Sequence, residues 1–215
     1  MGYFPFLIDI EGKRGIVVGG GKVAARKIER LLLFGPVLTV IAPAIEACVR
    51  LQRKLLQQDA AALLLLEERD FRMEDLIGAD FVVAATDDEA LNGKIADYCR
   101  AEGILVNVVD DREKCTFFFP ALVKDGPLTI GISTDGKSPA AASLVRQKIA
   151  GTLPEGIGGM IDLLGEIRPV VMRMEPDETE RKMLFGKLLH YCLEKEGAVA
   201  MEDLMSLLQA ELAQS

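Results

Sequence analysis

A single histidine, His190, stands among the 215 residues, so nucleophilic triads, histidine metal sites and imidazole relays have one residue at most to draw on. Any proton transfer therefore falls to a carboxylate or to His190 itself. Cysteine is also sparse. Cys48, Cys99, Cys115 and Cys192 lie far apart, with no C-x-x-C pair and no spacing that brings thiolates onto one metal, which predicts buried or reduced thiols and no fixed metal site. Apolar runs are short: residues 31–34 and 60–66 fall well below the roughly 18 to 20 residues that cross a bilayer. The N-terminus, Met1-Gly2-Tyr3-Phe4-Pro5-Phe6, lacks the basic opening of a signal peptide and soon meets Asp9, Glu11 and Lys13. No membrane span is expected, and the expected location is cytoplasmic. Basic charge is in deficit as well: 25 Lys and Arg against 33 Asp and Glu give a net charge of −8, which argues against nucleic acid as a partner.

Half of the residues are hydrophobic, enough for one large domain or two to three small units with a real core. Over the first hundred or so residues, short β-type runs alternate with helical patterns. Gly15-Ile16-Val17-Val18 leads through glycines into a helical pattern over 23–34, and Gly35-Pro36 stops it before a second strand over 37–41. A helix over 44–57, a third strand over 61–66, a fourth over 80–84, a helix over 88–101 and a fifth strand over 104–108 follow. Such alternation predicts an α/β fold, a parallel sheet with helices on both faces. After Asp111 the pattern changes: residues 116–120 and 128–133 read as strands joined by a turn at Asp125-Gly126-Pro127, a small β unit. From Ser138, a candidate N-cap with Pro139 at the first helical position, the rest reads as a helical bundle with Leu and Met on its inner face, broken near 156–159, at Pro176 and at Gly197.

The strongest local signal is Gly19-Gly20-Gly21-Lys22-Val23-Ala24, a G-x-G-x-x-A pattern directly after an apolar strand and at a helix start. Small residues let the backbone turn sharply and approach a pyrophosphate, whose charge the helix N-terminal N–H groups then hold. Gly19, Gly21, Lys22, Val23 and Ala24 are thus candidate dinucleotide contacts. Val40-Ile41-Ala42-Pro43-Ala44 ends the second strand with no carboxylate for an adenosine ribose and no Arg or Lys for a 2′-phosphate, which favours NAD over NADP and adds Pro43 and Ala44 to the set. At the end of the fourth strand, Thr86 either lines the nicotinamide side or belongs to a turn in which Asp87 and Asp88 cap the next helix.

Asn107-Val108-Val109-Asp110-Asp111 leaves the fifth strand on the same edge. There Asp110 or Asp111 is either a general base beside the reactive ring or one of two solvated loop acids. Charge is uneven: residues 112–150 hold six bases and three acids, a net +3, so the rest of the chain carries −11 of the overall −8. A basic segment on an acidic protein suits an anionic small substrate. Ser133-Thr134-Asp135-Gly136-Lys137-Ser138-Pro139 is a hydroxyl-rich turn opening a helix, either a carboxylate cradle or a simple cap.

In this order the motifs resemble the precorrin-2 dehydrogenase family, which includes the N-terminal module of siroheme synthase. The resemblance rests on Val17-Val18-Gly19-Gly20-Gly21-Lys22-Val23-Ala24 with Arg26-Lys27, Ala84-Ala85-Thr86-Asp87-Asp88, Asn107-Val108-Val109-Asp110-Asp111, Phe118-Phe119-Pro120-Ala121, and Ile132-Ser133-Thr134 through Ser138-Pro139 to Arg146. The tail after about Gly151 matches only in character. The resemblance implies a Rossmann-type doubly wound sheet that binds NAD over residues 1–113, a small β unit for dimerisation and substrate binding over 114–150, and a helical C-terminal domain over 151–215. It implies NAD-dependent oxidation of precorrin-2 to sirohydrochlorin on the way to sirohaem, with Asp110 as the functional aspartate. Some relatives also insert ferrous iron, with the same carboxylate helping to remove pyrrole protons; the sequence leaves that activity open and offers iron only a transient place near Asp110. The implied substrate contacts are Asn107, Ser133, Thr134, Lys137, Ser138 and Arg146, serving an anionic tetrapyrrole. The implied assembly is a homodimer, in which Phe117-Phe118-Phe119 is either a dimer contact or an ordinary core strand. Fused members continue into a methyltransferase, which this sequence does not reach, so formation of precorrin-2 from its precursor is not expected.

Two other readings compete. Tyr191 and Lys195 have the Tyr-x-x-x-Lys spacing of short-chain reductases, but they lie in the helical tail with no later strands, where a surface i, i+4 pair is the simpler account. An NAD-sensing domain without turnover would leave Asp110 and the basic segment unexplained. His190, beside Leu188, Leu189 and Tyr191, is expected to be a half-buried helix residue with no role.

Overall fold

The computed structural model describes residues 4–56, 63–195 and 198–213. The chain divides into two compact units, one spanning Phe4–Phe119 and the other holding what is described from Pro120 onward. In the first unit, β1 (Arg14–Val18), β2 (Val37–Ala42), β3 (Leu63–Glu68), β4 (Phe81–Ala84) and β5 (Leu105–Val108) form a parallel sheet in the order β3-β2-β1-β4-β5. The connecting helices are α1 (Lys22–Leu32), α2 (Ala47–Leu56) and α3 (Glu89–Ala101).

Successive residues of β1 point to opposite faces, and each face finds its own cover. Val17 packs with Ala24, Ile28 and Leu31 of α1 and Val49 of α2. Ile16 and Val18 pack with Ile95, Ala96 and Cys99 of α3. The chain winds outward through α1 and α2 to β3, then returns to β4 on the other side of β1. The two halves of the sheet therefore diverge between β1 and β4, and this switch point opens a crevice at the strands' C-terminal ends.

Three of the predicted elements shift. The third strand lies at Leu63–Glu68 instead of 61–66, because the register Leu63↔Val37 through Glu68↔Ala42 fixes it against β2; residues 61 and 62 lie outside the described residues. The second helix starts at Ala47, since residues 43–46 are needed as a loop against the glycine turn; Gln57 lies outside the described residues. Residues 116–120 are not a strand. They run irregularly along the free edge of β5, where Thr116 Oγ1 accepts from Val106 N at 2.8 Å and Thr116 N donates to Val106 O at 2.8 Å. Side chains thus satisfy an edge that would otherwise stay open to another strand. Phe117 and Phe119 pack against the core while Phe118 stays exposed.

The second unit opens with a hairpin of β6 (Ala121–Asp125) and β7 (Leu128–Ile132), turning at Gly126-Pro127. Four helices follow: α4 (Pro139–Thr152), α5 (Ile157–Met174), α6 (Glu178–Glu194) and α7 (Met201–Leu212). Leu184, Leu188 and Cys192 recur every fourth residue of α6 and close with Ile167 and Val171 of α5 and Leu204 and Leu208 of α7. Each such buried aliphatic side chain contributes roughly 1.5–3 kcal/mol. The Gly197 break and the first three residues lie outside the described residues. His190 is a correction: its side chain is 74% exposed, with Nε2 3.1 Å from Glu194 Oε1, because the helix's buried stripe passes through positions 184, 188 and 192. Lys195 Nζ lies 5.8 Å from the Tyr191 ring centroid, one turn along the same helix. Among the described residues no helix is long and apolar enough to cross a membrane.

Two glycines of α5 give opposite expectations. A Cβ at Gly158 would sit 2.6 Å from the Asp125 carbonyl, whereas one at Gly165 would meet nothing within 4 Å. Gly165→Ala should stabilise the protein by about 1 kcal/mol through helix propensity. Gly158→Ala should destabilise it by about 1–3 kcal/mol through overpacking against backbone. Urea unfolding midpoints of the two variants check the signs.

Candidate functional site

The turn after β1 is held by its neighbours' backbone. Gly19 N donates to Ile41 O at 2.9 Å, Ala85 N donates to Val18 O at 2.8 Å, and Glu46 N donates to Gly20 O at 2.9 Å. Gly19 has φ +115°, and a Cβ there would lie 2.3 Å from Ala85 O; one at Gly20 would lie 2.6 Å from Ala44 O. Only glycine lets the turn settle between the ends of β2 and β4. Ala24 is buried below it and Val23 is half-buried.

Gly21 is the N-cap of α1, with no side-chain cap and no acidic residue in the first turn. Its N-terminal amides are thus left to an outside acceptor and carry the positive end of the helix dipole. By contrast, Asp88 caps α3 by accepting from Ala90 N and Leu91 N at 2.9 and 3.0 Å. An uncapped helix start behind a glycine turn at the switch point fits a pyrophosphate. Lys22 lines a groove of about 600 Å³ between α1 and α2, together with Arg26, Glu29, Glu46 and Gln52. The Glu46 carboxylate is the nearest side chain to Gly21: Oε1 lies 3.8 Å from where a Cβ would stand.

Thr86 is braced by α3. Its hydroxyl donates to Asn92 Oδ1 at 2.7 Å, and Asn92 Nδ2 donates to Thr86 O at 2.9 Å. Asn92 is buried in the first turn of α3, and a polar residue six positions after Thr86 was the only sequence signal for this brace. Asn107 on β5 is also buried, 4% exposed; its Nδ2 donates to Phe117 O at 3.0 Å, while Oδ1 has no partner among the described residues.

The two aspartates after β5 separate clearly. Asp111 forms an ion pair with Lys114 Nζ at 2.6 Å and accepts from Lys114 N at 3.3 Å; the Lys114 bond holds its carboxyl below the usual aspartate range. Asp110 is exposed, with left-handed φ +59°, on the same strand-end edge as the glycine turn. The Lys27 ammonium feels its charge from α1 and lies 4.1 Å from the Phe119 ring centroid; burial lowers the Lys27 pKa.

The remaining candidates belong to the second unit. Thr134 Oγ1 donates to Ser138 O at 2.9 Å and accepts from Ser138 N at 3.3 Å, and Ser138 Oγ accepts from Ala141 N at 3.2 Å as the N-cap of α4. Ser133 Oγ accepts from Asp135 N at 3.2 Å. These hydroxyls shape the turn, while the Lys137 side chain is exposed and Arg146 half-buried on α4.

Comparison with known proteins agrees with this architecture. A family model for NAD(P)-binding domains matches residues 6–121, and one for the central part of a sirohaem biosynthesis protein matches 125–152. Siroheme synthase from Photorhabdus laumondii is 38% identical over 182 residues, 85% of this chain and 37% of that protein. Siroheme synthase from Neisseria meningitidis is 36% identical over 187 residues, 87% of this chain and 38% of that protein. The chain thus spans less than two fifths of the length of these relatives. The solved structure of SirC, a precorrin-2 dehydrogenase, has the same fold, with a TM-score of 0.69 at 24% identity over 99% of this chain and all of the other.

Gly19→Ala should raise the Kd for NADH more than tenfold, read by fluorescence titration, and cost about 2 kcal/mol of stability through backbone strain. Because the folded Asp111 pKa is depressed, its ion pair contributes fully above the ordinary aspartate value and is lost as pH falls through the lowered one. An NMR titration of the Asp111 carboxyl carbon should therefore give a midpoint below about 3.9, and Lys114→Met should move it upward.

Proposed function

The chain belongs to the NAD(P)-binding family that its residues 6–121 match, and on that premise we propose that it oxidises precorrin-2 to sirohydrochlorin in the making of sirohaem, with NAD as hydride acceptor. One observation carries the reading: proteins named siroheme synthase align at 36–38% identity with 85–87% of this chain. The SirC fold, shared over the whole chain, supports it.

When bound, NAD would supply the hydride acceptor, so that precorrin-2, losing a hydride and a proton, would give sirohydrochlorin, NADH and H⁺. The α1 N-terminal amides and the turn at Gly19 and Gly21 hold the pyrophosphate, with Pro43, Ala44 and Thr86 along the same edge. The reading of NAD over NADP rests on the end of β2, which offers no Arg or Lys to a 2′-phosphate, and the Glu46 carboxylate beside Gly21 supports it. Asp110, exposed at the strand ends, receives the proton as general base. Asp111 is committed to Lys114. Lys137 and Arg146, with the turn at Ser133, Thr134 and Ser138, serve the carboxylates of an anionic tetrapyrrole, and Asn107 supports the strand end from below. The hairpin and α4, as far as residue 150, serve dimerisation and substrate binding, with residues 151–215 as the helical part of the same unit; exposed Leu144 and Val145 on α4 supply apolar surface for a homodimer. Ferrous iron, as a second substrate, would use the same Asp110 carboxylate to take up pyrrole protons.

Anaerobic incubation with precorrin-2 and NAD should yield NADH and the sirohydrochlorin spectrum together. Asp110→Asn should lower the rate by about 10²-fold or more while leaving NADH affinity within about twofold. NAD binding without either product would overturn the reading in favour of a sensing domain. A ferrous arm reads chelation, and sedimentation at twice the chain mass reads the dimer.

A further inference from the structure

The outward edge of β5 ends in a sulfur contact. Cys115 Sγ accepts from Val108 N at 3.2 Å, and its single S–H is shared between Val108 O and Asp111 O, both also at 3.2 Å. Asn107 Nδ2 approaches the same sulfur at 3.5 Å. Val108 and Asp111 bracket the stretch Val109-Asp110, in which Asp110 adopts a left-handed backbone. Aspartate reaches that conformation more readily than most residues but is not confined to it, so a single fixed arrangement depends on the surroundings. On the strand side Val109 N is fixed by Ala84 O at 2.9 Å. On the return side, the Asp111–Lys114 pair closes the turn and the Cys115 thiol ties its backbone back to β5.

We propose that Cys115 is a positioning residue for Asp110: its thiol pins the backbone on both sides of that aspartate and so fixes where the carboxylate points. The proposal rests on the reading of Asp110 as the base. A sulfur suits the task because its large radius lets one atom meet a strand N–H and two carbonyls at once, each contact weak and the set directional. Burial pushes the thiol pKa up, which keeps the S–H in place as a donor. The half-buried thiol is part of the strand's edge cover, and Thr116 performs the matching task one pair earlier at Val106. The difference is that the bonds of Thr116 go to the strand alone, whereas those of Cys115 span the Asp110 turn.

The test compares Cys115→Ala and Cys115→Ser in the full chain, by steady-state kinetics with precorrin-2 and NAD and by residue-resolved amide hydrogen exchange. In Cys115→Ala, kcat should fall about tenfold with KM for both substrates within twofold, and the Val108 amide should exchange at least tenfold faster. The Val109 amide, bonded to Ala84, should keep its rate. Cys115→Ser, which retains a donor and an acceptor on a shorter arm, should recover part of kcat and part of the Val108 protection. Faster exchange with unchanged kcat overturns the positioning role, as does a loss of kcat with no change at Val108. A variant that unfolds would show faster exchange at Val109 as well, and the serine variant then decides: full loss of kcat with Val108 still protected overturns the proposal, and partial recovery supports it. If the wild-type chain forms neither product, the reading of the reaction falls first. The exchange rates then stand alone, and equal rates at Val108 in wild type and Cys115→Ala overturn the pinning.

Discussion

Between the C-terminal ends of β1 and β4, the backbones of Gly19 and Ala85 approach so closely that a side chain at Gly19 would overlap a carbonyl oxygen 2.3 Å away. The sheet order forces that approach, since β1 is the strand from which the chain winds out and beside which it returns. The same glycine turn is pressed from the other side by the loop after β2, where Ala44 O would meet a Cβ at Gly20. With both flanks filled by backbone, the turn opens in one direction only, along the start of α1. The position proposed for an anion thus follows from sheet topology and from two missing side chains before any ligand is considered.

Helix capping then divides the polar groups into those the fold uses and those it leaves for others. α3, α4 and α6 each begin at a side chain that accepts from their first amides: Asp88, Ser138 and Asp177. α1 begins at Gly21 and has no acid in its first turn. An unmet set of amides at an exposed surface is inexpensive in water, yet it becomes a binding determinant once an anion displaces that water. The loops obey a similar division. Thr86 is spent on Asn92 and Asp111 on Lys114, so this hydroxyl and this carboxylate build the edge on which Asp110 stands exposed, and in the second unit Thr134 is spent on Ser138.

Much of this was legible in the sequence, for physical reasons that also explain the misses. β1, β2, β4 and β5 are buried apolar runs between helices of ordinary length, and a G-x-G-x-x-A turn between strand and helix has few other uses. β3 was displaced because its leucine run is apolar on successive residues, so nothing within it sets a register; pairing with β2 does. Residues 116–120 carry three successive aromatics, the composition of a strand, and Phe117 and Phe119 do turn inward, but the contacts with β5 are a few backbone bonds at Val106 and bonds of the Thr116 and Cys115 side chains, which composition does not register. His190 has apolar neighbours in sequence, yet on a helix the neighbours that matter are three and four residues away, and those place it outside the buried stripe. The residues alone left Asp110 and Asp111 open and only the resemblance named Asp110; what sequence could not show is that the Lys114 turn captures Asp111.

The exposed position of His190 bears on the chemistry. Its imidazole is shared with Glu194 on an outer helix face, and its solvent-facing ring lacks the enclosing partners that would fix it as a general base. A carboxylate is a weak base in water, so its use in proton removal requires a substrate proton made acidic by the chemistry itself and a geometry that wastes little of the encounter. In the proposed oxidation, loss of hydride from a carbon skeleton leaves a cationic system whose neighbouring proton is easily removed, which meets the first requirement. With Asp110 as the proposed base, the second falls on its backbone, that of a left-handed residue between a sheet bond at Val109 and the Asp111–Lys114 turn. Held at both ends, that residue can keep one orientation as the substrate arrives, and a modest base then suffices.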